Sequence, residues 1–370
     1  MKIKKLLMED WLADYQYVKF NLAESGFVDF TIGEFLNLCT EDIKNLEKIS
    51  LINPDTRGST ELREEILKCY EETNIENVLV TVGVSEALFA FFNVVLNPGD
   101  EVIVEFPEFQ TLYELPSAVG CKIIFLQLEE ENRFIPEPDK INELITKKTK
   151  LIIINTPHNP TGSVVPERII ERICEIAKDN GVYLLFDEHY KFLPLTEGTR
   201  QLKSGYDICK DLYDRVAAVG SITKSFGLNG LRVGWLLSNR EIIEACREFK
   251  HYMTHVTPPI NDYLALVALK NKERLIKYVK RNILKNIKQL NVFMEKKKDC
   301  YKYIEPKGGL VCFPKLKNET DSNAFCRKLL KKYDLSLLPG SAFGMQQYFR
   351  LNFGLKSVIF SKALKILENV

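Results

Sequence analysis

The chain has 370 residues, 45% of them hydrophobic, which is enough for one large domain with an appendage or for two domains. Its 51 basic and 50 acidic residues give a net charge of +1, so no overall field favours nucleic acid or an anionic membrane as a partner. No apolar run reaches the roughly 18 residues of a membrane span, no signal peptide is recognisable, and the nine cysteines form no C-x-x-C pair. We expect a cytoplasmic protein with reduced core cysteines and no metal site.

From about residue 78, predicted strands and helices alternate. Seven strands are predicted, at Val78–Val82, Val102–Phe106, Lys122–Leu128, Leu151–Asn155, Val182–Asp187, Val216–Ser221 and Val233–Leu237. Most are continuous apolar runs, which is typical of strands covered on both faces. Between them lie amphipathic segments such as Pro166–Asp179, whose apolar residues share one helical face. This alternation predicts an α/β fold with a mostly parallel sheet covered by helices.

The pattern changes after about residue 258. A long helical segment is predicted from Pro259 to about Lys298. Two further helices and four short strands follow, the strands at Tyr301–Glu305, Leu310–Pro314, Leu335–Pro339 and Tyr348–Phe353. The first 45 residues carry helix and turn signals without strand alternation. We interpret residues 46–280 as a large domain and residues 1–45 with 281–370 as a smaller α+β domain.

Polar residues at the strand ends are the first candidates for a site, because ligands of such sheets bind beyond the carboxyl ends of the strands. The first predicted strand turns through Gly83 into a helix, and the free N–H groups near Val84 and Ser85 suit a phosphate, although Ser85 also suits an ordinary helix cap. Asn159 lies in a loop stiffened by two prolines and can donate a hydrogen bond from a fixed position; a plain turn is the alternative.

Two more strands end in polar residues. Asp187 ends a buried apolar strand, where an unpaired acid is costly, so it is expected to face a cation or a protonated ring nitrogen unless it caps the next helix. Tyr190 can aim its hydroxyl at the same ligand. His189 has no matching partner pattern, and we predict a surface or packing role for it.

The strand at Val216–Ser221 leads to Lys224, and Arg232 follows eight positions later. A lysine held at a sheet end can condense with an aldehyde cofactor, and a nearby hydroxyl and arginine suit that cofactor's phosphate. Ser221-x-x-Lys224 also fits the serine nucleophile motif of penicillin-binding enzymes, but the Ser-x-Asn element of those enzymes is absent. The chain has no Gly-x-Gly, which excludes the usual dinucleotide fingerprint.

Four motifs stand in a fixed order: Asn-Pro-x-Gly (159–162), Asp-x-x-Tyr (187–190), Ser-x-x-Lys (221–224) and Gly-x-Arg-x-Gly (230–234). Together they resemble fold-type I pyridoxal-phosphate enzymes of the class I/II aminotransferase family, over essentially the whole chain. The resemblance implies the cofactor pyridoxal 5'-phosphate, amino acid and 2-oxo acid substrates, and a homodimer. A cofactor-binding regulator on the same fold would need a DNA-binding domain ahead of it, and residues 1–50 are too few and not basic enough. A retired enzyme acting as a scaffold would not need Lys224, Asp187, Tyr190 and Arg350 intact.

The resemblance also implies residue roles. Lys224 would form a Schiff base with the cofactor and move the substrate's α-proton, while Asp187 would keep the pyridine nitrogen protonated so that the ring acts as an electron sink. The other cofactor contacts that it implies are hydrogen bonds from Asn159 and Tyr190, stacking by Phe109, and phosphate binding by Val84, Ser85, Ser221 and Arg232. Arg350 would bind the substrate carboxylate beside Asn159, with the backbone of Gly33 closing over it.

The chain departs from the family pattern at two positions. Asn53 stands where a tyrosine usually reaches the phosphate of the neighbouring subunit, and Arg57 is a candidate replacement. Tyr252 stands where dicarboxylate-specific members often carry a second arginine, which counts against aspartate as the substrate.

Two N-terminal segments, 9–12 and 30–34, resemble the capreomycidine-synthase-like branch of the family. This resemblance implies, as the alternative to amino transfer, a cyclase or lyase that acts on an arginine-like amino acid. Under that alternative, Glu24 or Glu34 would receive the cationic side chain of the substrate.

Overall fold

A computed structural model of the chain describes residues 2–196 and 201–369. Its strands, in chain order, are β1 (Phe20–Asn21), β2 (Val78–Thr81), β3 (Glu101–Phe106), β4 (Lys122–Gln127), β5 (Thr149–Asn155), β6 (Tyr183–Asp187), β7 (Val216–Ser221), β8 (Gly234–Leu237), β9 (Tyr301–Lys302), β10 (Val311–Cys312), β11 (Lys315–Leu316), β12 (Leu335–Ser336), β13 (Leu338–Pro339) and β14 (Phe349–Asn352). The seven strands predicted from residue 78 onward match β2 to β8 to within about two residues at each end.

The helices lie between and after these strands. They are α1 (Leu7–Asp14), α2 (Ile32–Cys39), α3 (Thr60–Leu67), α4 (Gly83–Val95), α5 (Thr111–Val119), α6 (Pro138–Leu144), α7 (Glu167–Asn180), α8 (Gly205–Cys209), α9 (Thr223–Phe226), α10 (Arg240–Lys250), α11 (Pro259–Lys270), α12 (Lys272–Lys296), α13 (Ser322–Tyr333) and α14 (Ser357–Glu368). Short 3-10 helices lie at Ile43–Lys48, Ile75–Asn77, Asn229–Leu231 and Gly340–Phe343.

The central sheet has seven strands in the order β2-β8-β7-β6-β5-β3-β4. Strand β8 is antiparallel to both of its neighbours, and the other neighbouring pairs are parallel. The predicted mostly parallel α/β sheet is therefore confirmed. The apolar runs follow from burial on both faces: along β5, Ile152 and Ile154 pack into one hydrophobic cluster, while Leu151 and Ile153 pack into the other.

The two ends of the chain meet outside this sheet. Strand β1 pairs in parallel with β12, and β10, β14 and β13 form a small antiparallel sheet. The helical segment that was predicted as continuous from Pro259 is divided at Asn271, which separates α11 from α12. The division of the chain into domains at residues 46 and 281 stays a prediction.

The sheet brings the candidate residues to one edge. In the register of β5, β6 and β7, Asn155 lies opposite Asp187, and Asp187 lies opposite Val219. Helix α4 begins at the same edge after β2, and α9 begins there after β7. The carboxyl ends of four strands therefore deliver their polar residues to one region.

The state of the cysteines and the character of the helices can be compared with the expectations from the sequence. All nine cysteines are free, and all but Cys300 are buried. Within residues 2–196 and 201–369, no helix has the length and apolar character needed to cross a bilayer.

Candidate active site

A cavity of about 780 Å³ lies at the carboxyl edge of the sheet. Nine of the residues proposed from the sequence line it: Glu24, Val84, Ser85, Phe109, Asn159, Asp187, Tyr190, Lys224 and Arg232. Ser221 and Arg350 are buried just behind its wall, within hydrogen-bond distance of lining residues. The structure thus gathers residues from across more than two hundred positions of the chain.

Lys224 lies in the first turn of α9, directly after β7. Burial lowers the pKa of its amine, the nearby Glu24 carboxylate opposes that shift, and Arg350 adds to it. The carbonyl oxygen of Lys224 accepts a hydrogen bond from the backbone of Phe27 at 3.1 Å, which fixes the segment. An amine with a lowered pKa is neutral more often, and only the neutral amine is a nucleophile.

Asp187 ends β6 with its side chain at the cavity. Burial raises the pKa of Asp187 to about 7, and its carboxylate accepts a hydrogen bond from the backbone N–H of His189 at 3.2 Å. In the part of the chain that the structure describes, no cationic side chain lies within hydrogen-bond distance of it. A buried acid that lacks a cation fits a ligand that brings one, as a protonated pyridine ring does.

Near Gly83 and Arg232, a ligand in the cavity can approach the backbone closely. Gly83, the first residue of α4, has φ +73°, and a Cβ there would lie 2.8 Å from Nη2 of Arg232. Arg232 is exposed towards the cavity, and its Nη1 donates to the Asn229 carbonyl. A guanidinium beside a helix N-terminus that starts on a glycine fits a phosphate group.

Asn159 and Tyr190 are already held by the protein. The Oδ1 atom of Asn159 accepts from Nη1 of Arg350 at 2.9 Å, which turns the amide nitrogen of Asn159 away from Arg350. The hydroxyl of Tyr190 donates to the Ser25 carbonyl at 2.6 Å, and burial raises the pKa of Tyr190 to about 12. Tyr190 is therefore a neutral phenol at physiological pH, and its oxygen can still accept a hydrogen bond.

Arg350 is more enclosed than the sequence suggested. Its side chain is fully buried, and Nη2 donates to the Ala23 carbonyl at 2.7 Å, while Met8 of α1 contacts Nη1. Its Nε has no partner within the described residues. A carboxylate would satisfy this unpaired donor, although it reaches Nε only if the covering side chains shift.

The structure does not bring Gly33 to the cavity, which corrects the expectation for that residue. Thr31 and Glu34 form a capping box that starts α2, so Gly33 is fixed in the first helical turn, and it is not among the residues that line the cavity. Gly26 lines the cavity instead, and its carbonyl accepts from the side chain of Asn352 at 2.9 Å. The signal that could have identified it is the small Ser25-Gly26 pair directly after Glu24.

His189 was predicted to be a surface or packing residue, and this was wrong. It lines the cavity, and its Nδ1 lies 3.0 Å from Oγ of Ser221. Burial lowers the pKa of His189 to about 3, and the charges of Lys224 and Arg232 contribute. The spacing from Asp187 was a usable signal, because an aspartate often accepts a hydrogen bond from the backbone two residues on, and this turn places His189 beside Asp187.

The remaining sequence candidates lie elsewhere. Arg57 forms an ion pair with Glu244 of its own chain, with Nη2 2.5 Å from Oε1, so its proposed contact with a partner subunit stays a prediction. Glu34 is exposed and belongs to the capping box of α2, whereas Glu24 lines the cavity. Of these two carboxylates, only Glu24 can meet a ligand in the cavity.

A second buried cluster adjoins the site. Glu105, Glu108 and His158 are almost fully buried, and each offers one potential metal-ligand atom, with all three atoms within 4.8 Å of one another. Burial raises the pKa of Glu105 to about 8 and the pKa of Glu108 well above its ordinary value. Two buried acids beside a neutral imidazole require either a cation or protons, and the raised pKa values favour protons.

This cluster makes the stability of the protein depend on pH. Because the pKa of Glu105 is higher in the folded than in the unfolded protein, the free energy of unfolding should fall as pH rises from about 4.5 to about 8. Glu105→Gln should reduce this fall, by up to about 1.4 kcal/mol for each pKa unit removed. Urea unfolding of the unmodified protein and of Glu105→Gln at a series of pH values measures the free energy of unfolding. If this free energy changes with pH equally in the two proteins, Glu105 does not hold a proton in the folded state.

The amino-acid sequence is similar to those of known enzymes. Residues 26–367 match the family described as aminotransferase class I and II. An aspartate aminotransferase of Thermotoga maritima is 30% identical over 338 residues, 89% of this chain and 86% of that one. Capreomycidine synthase of Streptomyces vinaceus is 27% identical over 354 residues, 94% of this chain and 88% of its own length.

Solved structures show the same fold. A PLP-dependent aminotransferase from Streptococcus suis superposes with a TM-score of 0.93 at 27% identity, covering 100% of this chain and 98% of that one. The PLP-dependent cyclase OrfR superposes with a TM-score of 0.90 at 24% identity, covering 100% of this chain and 97% of that one. The second similarity concerns the fold alone.

Proposed function

The chain belongs to the aminotransferase class I and II family and uses pyridoxal 5'-phosphate, and from this premise we propose that it transfers an amino group between an L-amino acid and a 2-oxo acid. The observation that carries the proposal is one cavity lined by Lys224, Asp187 and Arg232, with Arg350 buried behind its wall and hydrogen-bonded to Asn159. Arg232 suits a phosphate and Arg350 a carboxylate, and the same cavity offers an amine and an acid.

Each residue has a task in this proposal. The bound cofactor supplies an aldehyde for the amino group and an electron-withdrawing ring. Lys224 Nζ would take the proton from the substrate's α-carbon and deliver it to the former aldehyde carbon of the cofactor, so that hydrolysis releases the 2-oxo acid and leaves the amino group on the cofactor. A lowered pKa of Lys224 favours the first of these steps. Asp187 holds a proton on the ring nitrogen, and Phe109 covers one side of the cavity.

Arg350 orients the substrate in the same proposal. A two-pronged charged hydrogen bond from its Nε and Nη2 edge to the α-carboxylate would fix the α-carbon relative to Lys224. Asn159 supports this arrangement because its Oδ1 holds Nη1 of Arg350. Met8 and Ala23 cover the guanidinium, so binding of the carboxylate requires α1 and the Ala23 segment to shift.

A panel of amino acids tests the reaction. The purified protein with bound cofactor is mixed with one amino acid at a time, and its absorbance spectrum is followed. Amino transfer predicts conversion to the amine form of the cofactor and release of one equivalent of 2-oxo acid. If the substrate is consumed and no amine form accumulates, the amino-transfer proposal fails and the alternative below gains support.

The alternative is a cyclase or lyase that acts on an arginine-like amino acid. Two observations favour it: capreomycidine synthase is among the relatives, and the carboxylates of Glu9 and Glu24 line the cavity. Among the residues that the structure describes, neither carboxylate forms an ion pair. Tyr252, which is 92% exposed, stands where dicarboxylate-specific members of the family often carry a second arginine. This substitution and the carboxylates of Glu9 and Glu24 favour a substrate with a cationic side chain over one with an acidic side chain.

Glu24 therefore has a specific predicted effect. Glu24→Gln should raise the KM for a guanidino amino acid about tenfold, because it removes a charged hydrogen bond, and should leave the KM for neutral amino acids nearly unchanged. Glu34→Gln is the matched control, since Glu34 is exposed and lies outside the cavity. Equal effects of Glu24→Gln on cationic and neutral substrates would exclude this role.

We also propose a cytoplasmic homodimer with active sites near the subunit interface. The apolar side chains of Leu51 and Ile52 are 78% and 71% exposed in the single chain, and they adjoin Asn53, where the family places a contact to the neighbouring subunit. Light scattering of the purified protein should give twice the mass of the chain, and a monomeric mass would contradict the proposal.

A further inference from the structure

We propose that His189 is a positioning residue that fixes, through its Nδ1, the hydroxyl of Ser221 for the phosphate end of the cofactor. The inference adds a residue to the cofactor site and rests on the family's cofactor, not on the choice between amino transfer and cyclisation. It starts from a hydrogen-bond network that joins β6, β7 and α9 behind the cavity wall.

Ser221 is the centre of this network. Its Oγ lies 2.7 Å from Oγ1 of Thr223 and 3.0 Å from Nδ1 of His189, and it accepts a hydrogen bond from the backbone N–H of Thr223 at 3.2 Å. Ser221 is 1% exposed, whereas His189 and Thr223 line the cavity. The hydroxyl that was expected to bind phosphate is thus oriented by its neighbours.

The number of donors and acceptors restricts how this network can serve a phosphate. A serine hydroxyl has one hydrogen and two lone pairs, and the N–H of Thr223 already uses one lone pair. If His189 accepted at Nδ1, the hydroxyl hydrogen would be used within the protein. If His189 donates from Nδ1, it occupies the second lone pair, and the hydrogen of Ser221 then points to Oγ1 of Thr223 at 2.7 Å. A bound phosphate oxygen can take this hydrogen in place of Thr223, whose side chain lines the cavity. The Nδ1–H form is therefore the one that builds an anion site.

The electrostatic surroundings keep the imidazole neutral. The charged groups around it are Asp187 from β6, Lys224 from α9 and Arg232 from the segment before β8. Burial lowers the pKa of His189 to about 3, and both cations add to this effect. A neutral ring donates from only one nitrogen, so a single tautomer can hold Ser221 at every pH at which the enzyme works.

The position of His189 is fixed from the backbone side as well. Its N–H donates to Oδ1 of Asp187 at 3.2 Å, and its carbonyl accepts from Oγ of Ser225 at 3.3 Å. These bonds tie the backbone of His189 to the residue expected at the ring nitrogen and to the helix that carries Lys224. With its backbone fixed, only the side-chain torsions of His189 have to be ordered when it orients Ser221.

The test compares two probes that differ only in the phosphate. Cofactor-free protein is titrated with pyridoxal 5'-phosphate and with pyridoxal, and binding is followed by absorbance. His189→Ala should weaken binding of pyridoxal 5'-phosphate about fivefold to tenfold, the value of one hydrogen bond, and change pyridoxal binding less than about twofold. His189→Gln keeps an N–H donor and should recover part of the loss.

A double-substitution cycle shows whether His189 acts through Ser221. Ser221→Ala should weaken binding of pyridoxal 5'-phosphate at least as much as His189→Ala, and the double variant should bind no more weakly than Ser221→Ala alone. Losses that multiply, or equal losses for both probes, would overturn the proposal and mark His189 as a ring contact or a packing residue. Absence of any binding by the unmodified protein would instead remove the proposed function itself.

A measurement on the unmodified protein covers the case in which His189→Ala does not fold. The chain has four histidines, so ¹⁵N-histidine labelling gives few signals, and the His189→Gln variant identifies the one that disappears. The proposal predicts a neutral ring protonated at Nδ1 from about pH 6 to pH 9. A ring protonated at Nε2 alone, or one that gains a second proton in this range, would contradict it.

Discussion

Lys224→Ala is expected to slow turnover by at least about 10³-fold and to remove the absorbance band of the covalently bound cofactor. The variant loses both the amine that binds the aldehyde and the base that moves the α-proton, and general acid-base catalysis alone is worth about 10²–10⁴-fold. Stopped-flow absorbance with the best substrate of the panel measures the rate. The fold should survive, because the Lys224 side chain faces a cavity and the backbone bond from Phe27 remains.

The chain offers a matched control for this experiment. Lys250 is also buried, but its amine donates to the carbonyls of Thr56 and Val80 at 3.0 and 2.9 Å, and Lys250 is not among the residues that line the cavity. Lys250→Met should lower the melting temperature and leave the cofactor spectrum intact. If Lys224→Ala kept the spectrum and Lys250→Met lost it, the assignment of the reactive lysine would be wrong.

Asp187→Asn is expected to change stability and activity in opposite directions. Without cofactor, burial raises the pKa of Asp187 from 3.8 to about 7, so the carboxylate destabilises the fold increasingly as pH rises through this range. An asparagine cannot ionise, and at pH 8 the cofactor-free variant should be more stable by roughly 1–3 kcal/mol. Turnover should fall by about 10²–10³-fold, because the ring nitrogen loses the charge that stabilises it.

The neighbouring acid Glu188 is the control for Asp187. Its carboxylate accepts from the hydroxyl of Ser204 at 2.7 Å and from the backbone N–H of Gly205 at 2.6 Å, so it already has partners within the protein. Glu188→Gln should lower stability and leave cofactor binding largely unchanged. Thermal melting of the Asp187→Asn and Glu188→Gln variants, each with and without cofactor, distinguishes a loss of stability from a loss of cofactor binding. A cofactor-free Asp187→Asn protein that is less stable than the parent at pH 8 would contradict the role assigned to this acid.

The sequence predicted the central sheet well and its surroundings less well. Strands such as β5 and β6 are apolar on both faces, and this pattern depends only on local residues. The two-residue strands β9, β10, β12 and β13 fall within predicted strands that were too long, and β11 was not predicted. Pairing with distant segments decides where such short strands begin and end, and the local pattern does not show it. The interruption at Asn271 was missed, because the amphipathic pattern continues across it.

The site residues, too, were predicted well where local sequence decides their position and less well where distant segments decide it. Lys224 and Asp187 were found because they lie at the carboxyl ends of β7 and β6, which meet at one edge of the sheet. Arg232 was found because it follows Lys224 closely, and it lies just before β8, which returns antiparallel from the same edge. Gly33 was preferred over Gly26 because the sequence does not show which glycine approaches Asn352. His189 was underestimated because its partner Ser221 lies 32 positions away, and only the pairing of β6 with β7 brings the two together.

Borohydride reduction of the purified protein with bound cofactor, followed by peptide mapping, identifies the lysine that binds the aldehyde. Borohydride converts an imine between a lysine and an aldehyde into a stable amine that survives digestion. We expect a single pyridoxyl label on Lys224, at close to one per chain. A label on another lysine, such as Lys191 or Lys250, or no label on any peptide, would contradict it.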